Sequence, residues 1–123
     1  MTGLVLVTLA AIAGSTARFV FDSTSRRWFP HGPSVGILTA NVIGSFVLAL
    51  VVGIVATHTV DDRWRLVVGT GFCGSFTTFS TLTVELAALA DLGRRRQLVG
   101  WTAMSVVGGG VAAALGIVIG RGW

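Results

Sequence analysis

The sequence predicts an all-α membrane protein with four spanning helices, and two observations carry that expectation. Of its 123 residues, 53% are hydrophobic and only 11% charged, far from the balance of a soluble globular domain. Most of the charge lies in three short connections that separate four apolar runs, each supplying about the 20 residues needed to cross roughly 30 Å of hydrocarbon at 1.5 Å per residue. The connections are too short to hold a second domain, so residues 1–123 read as one four-helix transmembrane domain.

Composition also removes several function classes. A net charge of +4 and a pI near 11.5 would suit a nucleic-acid binder, but the nine basic residues are all arginine and eight lie between or beside the apolar runs. They are membrane-end charges, not a basic face, and no nucleic-acid partner follows. The single cysteine, Cys73, excludes an internal disulfide, and no His/Cys cluster has metal-ligand spacing. No nucleophile, base and orienting group occur together at recognisable spacing, so an enzyme is not expected.

The first run, Gly3 to Phe21, lacks the positive n-region of a signal peptide and reads as a retained spanning helix. Its one charge, Arg18, stands near its end. An arginine there either snorkels to the interface or lines a vestibule that draws anions in. The second run, Val35 to Thr57, holds one strongly polar residue, Asn41, which shares a helical face with Gly44, Ser45 and Leu48. An asparagine inside a span must be paired; it can bond another helix, and it can also offer two hydrogens to a passing anion.

The third run, Leu66 to Ala90, contains Gly69 to Glu85, GTGFCGSFTTFSTLTVE, with three glycines, five threonines, two serines and three phenylalanines. Lipid offers no partner for those hydroxyls or for backbone freed by a break, so the stretch must face protein or water, and it reads as the wall of an ion pathway. Gly71 and Gly74 are the expected points of a mid-membrane break that would expose carbonyls able to hold a cation. Helical periodicity places Phe72, Phe76, Phe79 and Thr83 on one side and Thr77, Thr81 and Glu85 on another.

The fourth run, Leu98 to Ile119, carries a small-residue ridge through Gly108, Ala112, Gly116 and Gly120, expected to pack on a helix of the bundle or of a second subunit. Ser105 lies near it as a candidate pore-lining hydroxyl. Trp28, Trp64, Trp101 and Trp123 fall at or near run ends, as an interfacial belt requires. The first and third connections hold Arg26, Arg27, Arg94, Arg95 and Arg96 against Arg63, Arg65 and Arg121 on the other side. Five against three is a weak bias that favours both termini outside and is small enough to be compatible with insertion in either orientation.

Together these features resemble the Fluc (CrcB) fluoride channel family. The glycine-rich stretch followed by Thr77-Thr78-Phe79-Ser80-Thr81 and then Glu85 is similar to the family's third-helix signature. Asn41-x-x-Gly44-Ser45 resembles its second-helix motif, and Arg18-Phe19 the arginine-aromatic pair that ends its first helix. The resemblance implies an antiparallel, dual-topology dimer in the cell membrane with fluoride pores along its interface and a structural sodium ion at its centre, exporting cytoplasmic fluoride passively and so conferring fluoride resistance. It implies that Phe79 is a pore phenylalanine, that Asn41 faces the same pathway, and that Ser80, Thr81 and Glu85 are the polar residues that follow. By the same resemblance the backbone carbonyls of Gly74 and Thr77 hold the sodium ion, Arg18 sits in a vestibule, and Ser105 is a looser match to a polar fourth-helix position. The chain departs from the pattern at Leu82, where many members carry a second pore phenylalanine, and it has no tyrosine. Leu82 and the arginine bias point to one subunit of a heterodimer with a paralogous partner, the other expectation being a homodimer.

Two rivals are weaker. A small dual-topology multidrug/proton transporter needs a mid-membrane carboxylate in the first span, and Gly3 to Phe21 has none. A non-transporting membrane adaptor explains the glycine ridge but leaves the hydroxyl-rich third run without a cause.

Overall fold

In a computed structural model of the chain, which describes residues 1–58 and 60–122, all four runs are helical. Thr59, in the second connection, and Trp123, the last of the expected interfacial tryptophans, lie outside the described residues. Helix α1 covers Thr2–Trp28 and α2 Val35–Thr57. The third span is composite: a π-helical segment over Arg65–Cys73, a single turn α3 over Gly74–Phe76, and α4 over Ser80–Asp91. Helix α5 covers Arg95–Gly122. Four helices long and apolar enough to cross a bilayer make this a multi-pass membrane protein.

The bundle is built around α2. Its central window has the highest mean hydropathy of the four, 2.3, and the largest buried share, 28%. Its most extensive partner is α5, and the sequence ridge explains why. Ala112, Gly116 and Gly120 are buried, and a β-carbon on Gly116 or Gly120 would stand 2.5 Å from the Phe46 or Leu50 carbonyl oxygen. Without a hydrophobic drive between helices in lipid, such close backbone approach is what holds two helices together. The ridge is thus an intrasubunit face. Outward, Leu4, Leu9, Phe19, Val106 and Val118 are each more than half exposed, an apolar girdle suited to acyl chains.

Two helices overrun the expected ends. Helix α1 continues past Phe21 to Trp28 because Arg26 pairs with Asp22 one turn earlier at 2.9 Å, and Arg26 and Arg27 in the last turn complement the helix dipole. The third connection shrinks to Leu92, Gly93 and Arg94. Gly93 adopts φ +71, and the Arg94 and Gly93 amides donate back to the Leu89 and Ala90 carbonyls at 3.0 Å, a glycine-terminated helix end followed at once by α5.

Where the first and third connections meet, Ser34 caps α2, its hydroxyl accepting from the Ile37 amide at 3.1 Å and donating to Asp22 at 2.5 Å. Glu85 of α4 accepts from the Ser34 amide at 3.1 Å and from Arg26 at 3.0 Å. This network fixes one end of the bundle and places the arginine-rich connections together there.

Candidate functional site

Glycine spacing sets the first half of the third span. Gly14 of α1 lies so close to the π-helical segment that any β-carbon there would collide with the Phe72 carbonyl. The Ser75 hydroxyl lies 2.9 Å from the Ala11 carbonyl oxygen, 2.6 Å from that of Gly71 and 3.2 Å from that of Phe72, so its one hydrogen is shared between the two helices. Within the segment the Gly74 amide donates to the Gly69 carbonyl, five residues back, the wider winding that marks a π-helix.

The break does not fall at Gly71 or Gly74, as the sequence suggests, but at Thr77–Phe79. Glycine spacing instead produces the π-helical winding and the close approach to α1. Thr77 keeps its amide and hydroxyl on the Cys73 carbonyl, at 3.0 and 2.9 Å, then turns to an extended conformation, φ −85 and ψ 156. The next amide, Thr78, is taken by Asn41: Thr78 N–H donates to Asn41 Oδ1 at 2.8 Å, and Asn41 Nδ2 donates to the Thr78 carbonyl at 3.0 Å. A side chain from another helix thereby satisfies groups that lipid would leave bare. The Thr78 hydroxyl then accepts from the Thr81 amide at 3.4 Å and lies 3.2 Å from Ser80 Oγ, a long contact ahead of the first turn of α4.

The change of direction also splits the expected aromatic stripe. Phe72 and Phe76 stack with ring centroids 5.3 Å apart, and Phe21 meets Phe76 edge-on at 5.2 Å. Phe79, the last residue of the break, stands apart at 80% exposure. Three phenylalanines spaced for one face end up with two roles, because helical phase is not carried through three non-helical residues.

The break opens on a groove of about 470 Å³. One wall is the α2 face that the sequence marks out, Asn41, Gly44, Ser45 and Leu48; the other comprises Gly69, Thr70, Cys73, Gly74, Thr77, Thr78, Phe79 and Leu82. Asn41, Gly74, Thr77, Phe79 and Leu82 are thus brought together, with Ser80 and Thr81 tied to them through the Thr78 hydroxyl. The remaining candidates lie elsewhere. Arg18 is half-buried and reaches the break from α1, its Nη1 donating to the Thr77 carbonyl at 3.4 Å. Glu85 is held in the end network by Arg26 and Ser34. Ser105, on α5, has a hydroxyl shielded from solvent with no hydrogen-bond partner among the described residues.

In the sequence Thr78 stands out only as part of the Thr77-Thr78-Phe79-Ser80-Thr81 motif, although its backbone is what α2 holds. Nothing else local marks it, because the partner that takes its amide and carbonyl lies on α2. Thr70 and Cys73 also line the groove; the sequence marks them only as members of the Gly69–Glu85 stretch.

The family model described as "CrcB-like protein, Camphor Resistance (CrcB)" matches residues 5–117. Among curated relatives, "Fluoride-specific ion channel FluC" of Gloeothece citriformis is 35% identical over 119 residues, covering 97% of both chains. "Fluoride-specific ion channel FluC 2" of Cutibacterium acnes is 39% identical over 116 residues, 93% of this chain and 94% of the relative. "Fluoride-specific ion channel FluC 1" of Leifsonia xyli subsp. xyli is 42% identical over 93 residues, 74% of this chain and 68% of the relative.

Proposed function

Since this chain belongs to the CrcB family, we propose that it is a fluoride-specific ion channel of the cell membrane, giving passive export of cytoplasmic fluoride. The observation that carries this reading is the groove at the Thr77–Phe79 break, a strip of hydroxyl, amide and ring-edge donors inside an otherwise apolar span. Fluoride is small and strongly hydrated, so a pathway must replace its water with close donors. Ser80 and Thr81 hydroxyls, an Asn41 amide hydrogen and the positive ring edge of Phe79 are weak donors, which let the ion leave again. Fluoride entering as neutral acid and trapped as anion is driven out by the membrane potential, worth about 2.3 kcal/mol per charge per 100 mV.

Phe79, Leu82 and the groove they line open away from the subunit's own core, which supports assembly with a second subunit across this face. Leu82 supplies bulk without an electropositive edge. Together with relatives numbered FluC 1 and FluC 2, it supports pairing with a paralogous subunit that contributes the missing aromatic.

A structural sodium ion fits the donor set. With the Thr78 amide taken by Asn41, the Gly74 carbonyl lacks its ordinary helical partner, and a hard cation suits such an oxygen. The Thr77 carbonyl of the same turn would be the second ligand, an oxygen that Arg18 Nη1 reaches only at 3.4 Å. When bound, the ion supplies a fixed positive charge that offsets the freed carbonyls and biases the local field toward anions.

The test is fluoride efflux from proteoliposomes containing this chain alone and then with its paralogue. Efflux from either preparation supports the channel, and the preparation that conducts distinguishes homodimer from heterodimer. No efflux from either would overturn the reading. Phe79→Ile is expected to remove most of the flux while the assembly stays intact on gel filtration.

A further inference from the structure

In an unbroken helix the Thr78 amide would pair with the Gly74 carbonyl, and the Thr78 carbonyl with the Leu82 amide. Here one carboxamide replaces both partners. Asn41 Oδ1 accepts from Thr78 N–H at 2.8 Å while Asn41 Nδ2 donates to the Thr78 carbonyl at 3.0 Å, a two-point clamp on the backbone of a single residue. One turn on along α2, Gly44 leaves the space that the Thr77 methyl occupies. Asn41 and Gly44 together therefore hold both residues before Phe79.

The exposure of Phe79 decides what this clamp is for. At 80% exposed, the ring gains little from packing within its own subunit, so its direction is inherited from the backbone just before it. The clamp also uses one of the two Asn41 amide hydrogens and its oxygen, leaving one hydrogen for an ion.

We propose that Asn41 is a positioning residue: acting through the Thr78 backbone, it sets where the Phe79 ring projects into the pathway and keeps the Thr78 amide from pairing with the Gly74 carbonyl. Its consequence for transport rests on the channel reading above, whereas its consequence for geometry does not. An asparagine that served only as an anion donor would need no backbone partner, and one that only joined two helices would not have to meet the residue at the middle of the break.

The experiment places 4-fluorophenylalanine at position 79 and records its 19F spectrum in lipid nanodiscs without fluoride, together with hydrogen exchange at the Thr78 amide and fluoride efflux. Wild type is expected to give one narrow resonance and a protected amide. Asn41→Ala removes both clamp bonds; Asn41→Asp keeps nearly the same shape but turns an oxygen toward the Thr78 carbonyl, and it carries the test if the alanine variant does not fold. Both variants are expected to shift or broaden the resonance, expose the Thr78 amide and lose most of the efflux. Efflux lost with resonance and protection unchanged would make Asn41 a direct donor only and overturn the proposal, as would a displaced ring with efflux retained. Should wild type carry no fluoride at all, the channel reading falls while the resonance and exchange still report on the clamp.

Discussion

Gly44→Ala probes the tightest contact at the break. A β-carbon on residue 44 would collide with Thr77 Cγ2 and lie 3.5 Å from Phe76 Cδ2. The methyl has no easy escape. Thr77 is β-branched, and its hydroxyl donates to the Cys73 carbonyl at 2.9 Å, so turning χ1 gives up a hydrogen bond of about 1 kcal/mol. Keeping that bond and pushing α2 away instead is overpacking, at about 1–3 kcal/mol. Either route makes Gly44→Ala less stable by about 1–3 kcal/mol, and the second also displaces Phe79 and lowers efflux. The assay is unfolding of the purified protein under conditions where it is reversible, in parallel with efflux. Thr77→Ser removes the methyl and keeps the hydroxyl, so a double-mutant cycle should return a favourable coupling of about 1–2 kcal/mol, the Gly44→Ala defect largely disappearing in the serine background. A Gly44→Ala protein as stable as wild type, or equally destabilised in both backgrounds, would refute the packing on which this reasoning stands.

Other outcomes follow from the same contacts. Ser75→Ala, which leaves the carbonyls of Ala11, Gly71 and Phe72 without their shared hydroxyl, should cost about 1 kcal/mol in the same unfolding measurement. Cys73, 1% exposed, should resist maleimide in the folded protein and react fully once it is unfolded. Glu85→Gln removes the charge that pairs with Arg26 but keeps an oxygen for the Ser34 amide; with Arg26 46% exposed and Glu85 only 12%, the loss should be about 1 kcal/mol. Asp22→Ala should cost more than Glu85→Gln, because it strips a partner from both Ser34 and Arg26.

Much of the architecture is legible in the sequence because lipid imposes a one-dimensional rule: length and apolarity suffice to place four spans, and small residues at every fourth position suffice to find the α5 ridge. The α2 face of Asn41, Gly44, Ser45 and Leu48 emerged intact because an uninterrupted helix keeps its phase. What was not legible depends on partners distant in the chain. The break sits at Thr77–Phe79 and not at the glycines because Asn41, thirty-seven residues earlier, bonds Thr78. Local glycine content records flexibility and close approach, not which amide a remote side chain will take. The Phe79 register was lost for the same reason. The end of α1 was set too early because apolarity stops at Phe21, whereas the helix is carried on by the Asp22–Arg26 pair.

Among the described residues, the two halves of the third span do not pack on each other: the first leans on α1 and α2, the second on α5 and α2, with Glu85 reaching Arg26 of α1. Mechanically it is a splice and not a rod. Its two halves are joined by the non-helical Thr77–Phe79 backbone, which is anchored sideways to α2 where Asn41 holds Thr78. Engineering that stiffens the individual rods should therefore leave the joint free, while a tether from α2 to either half would alter its compliance directly.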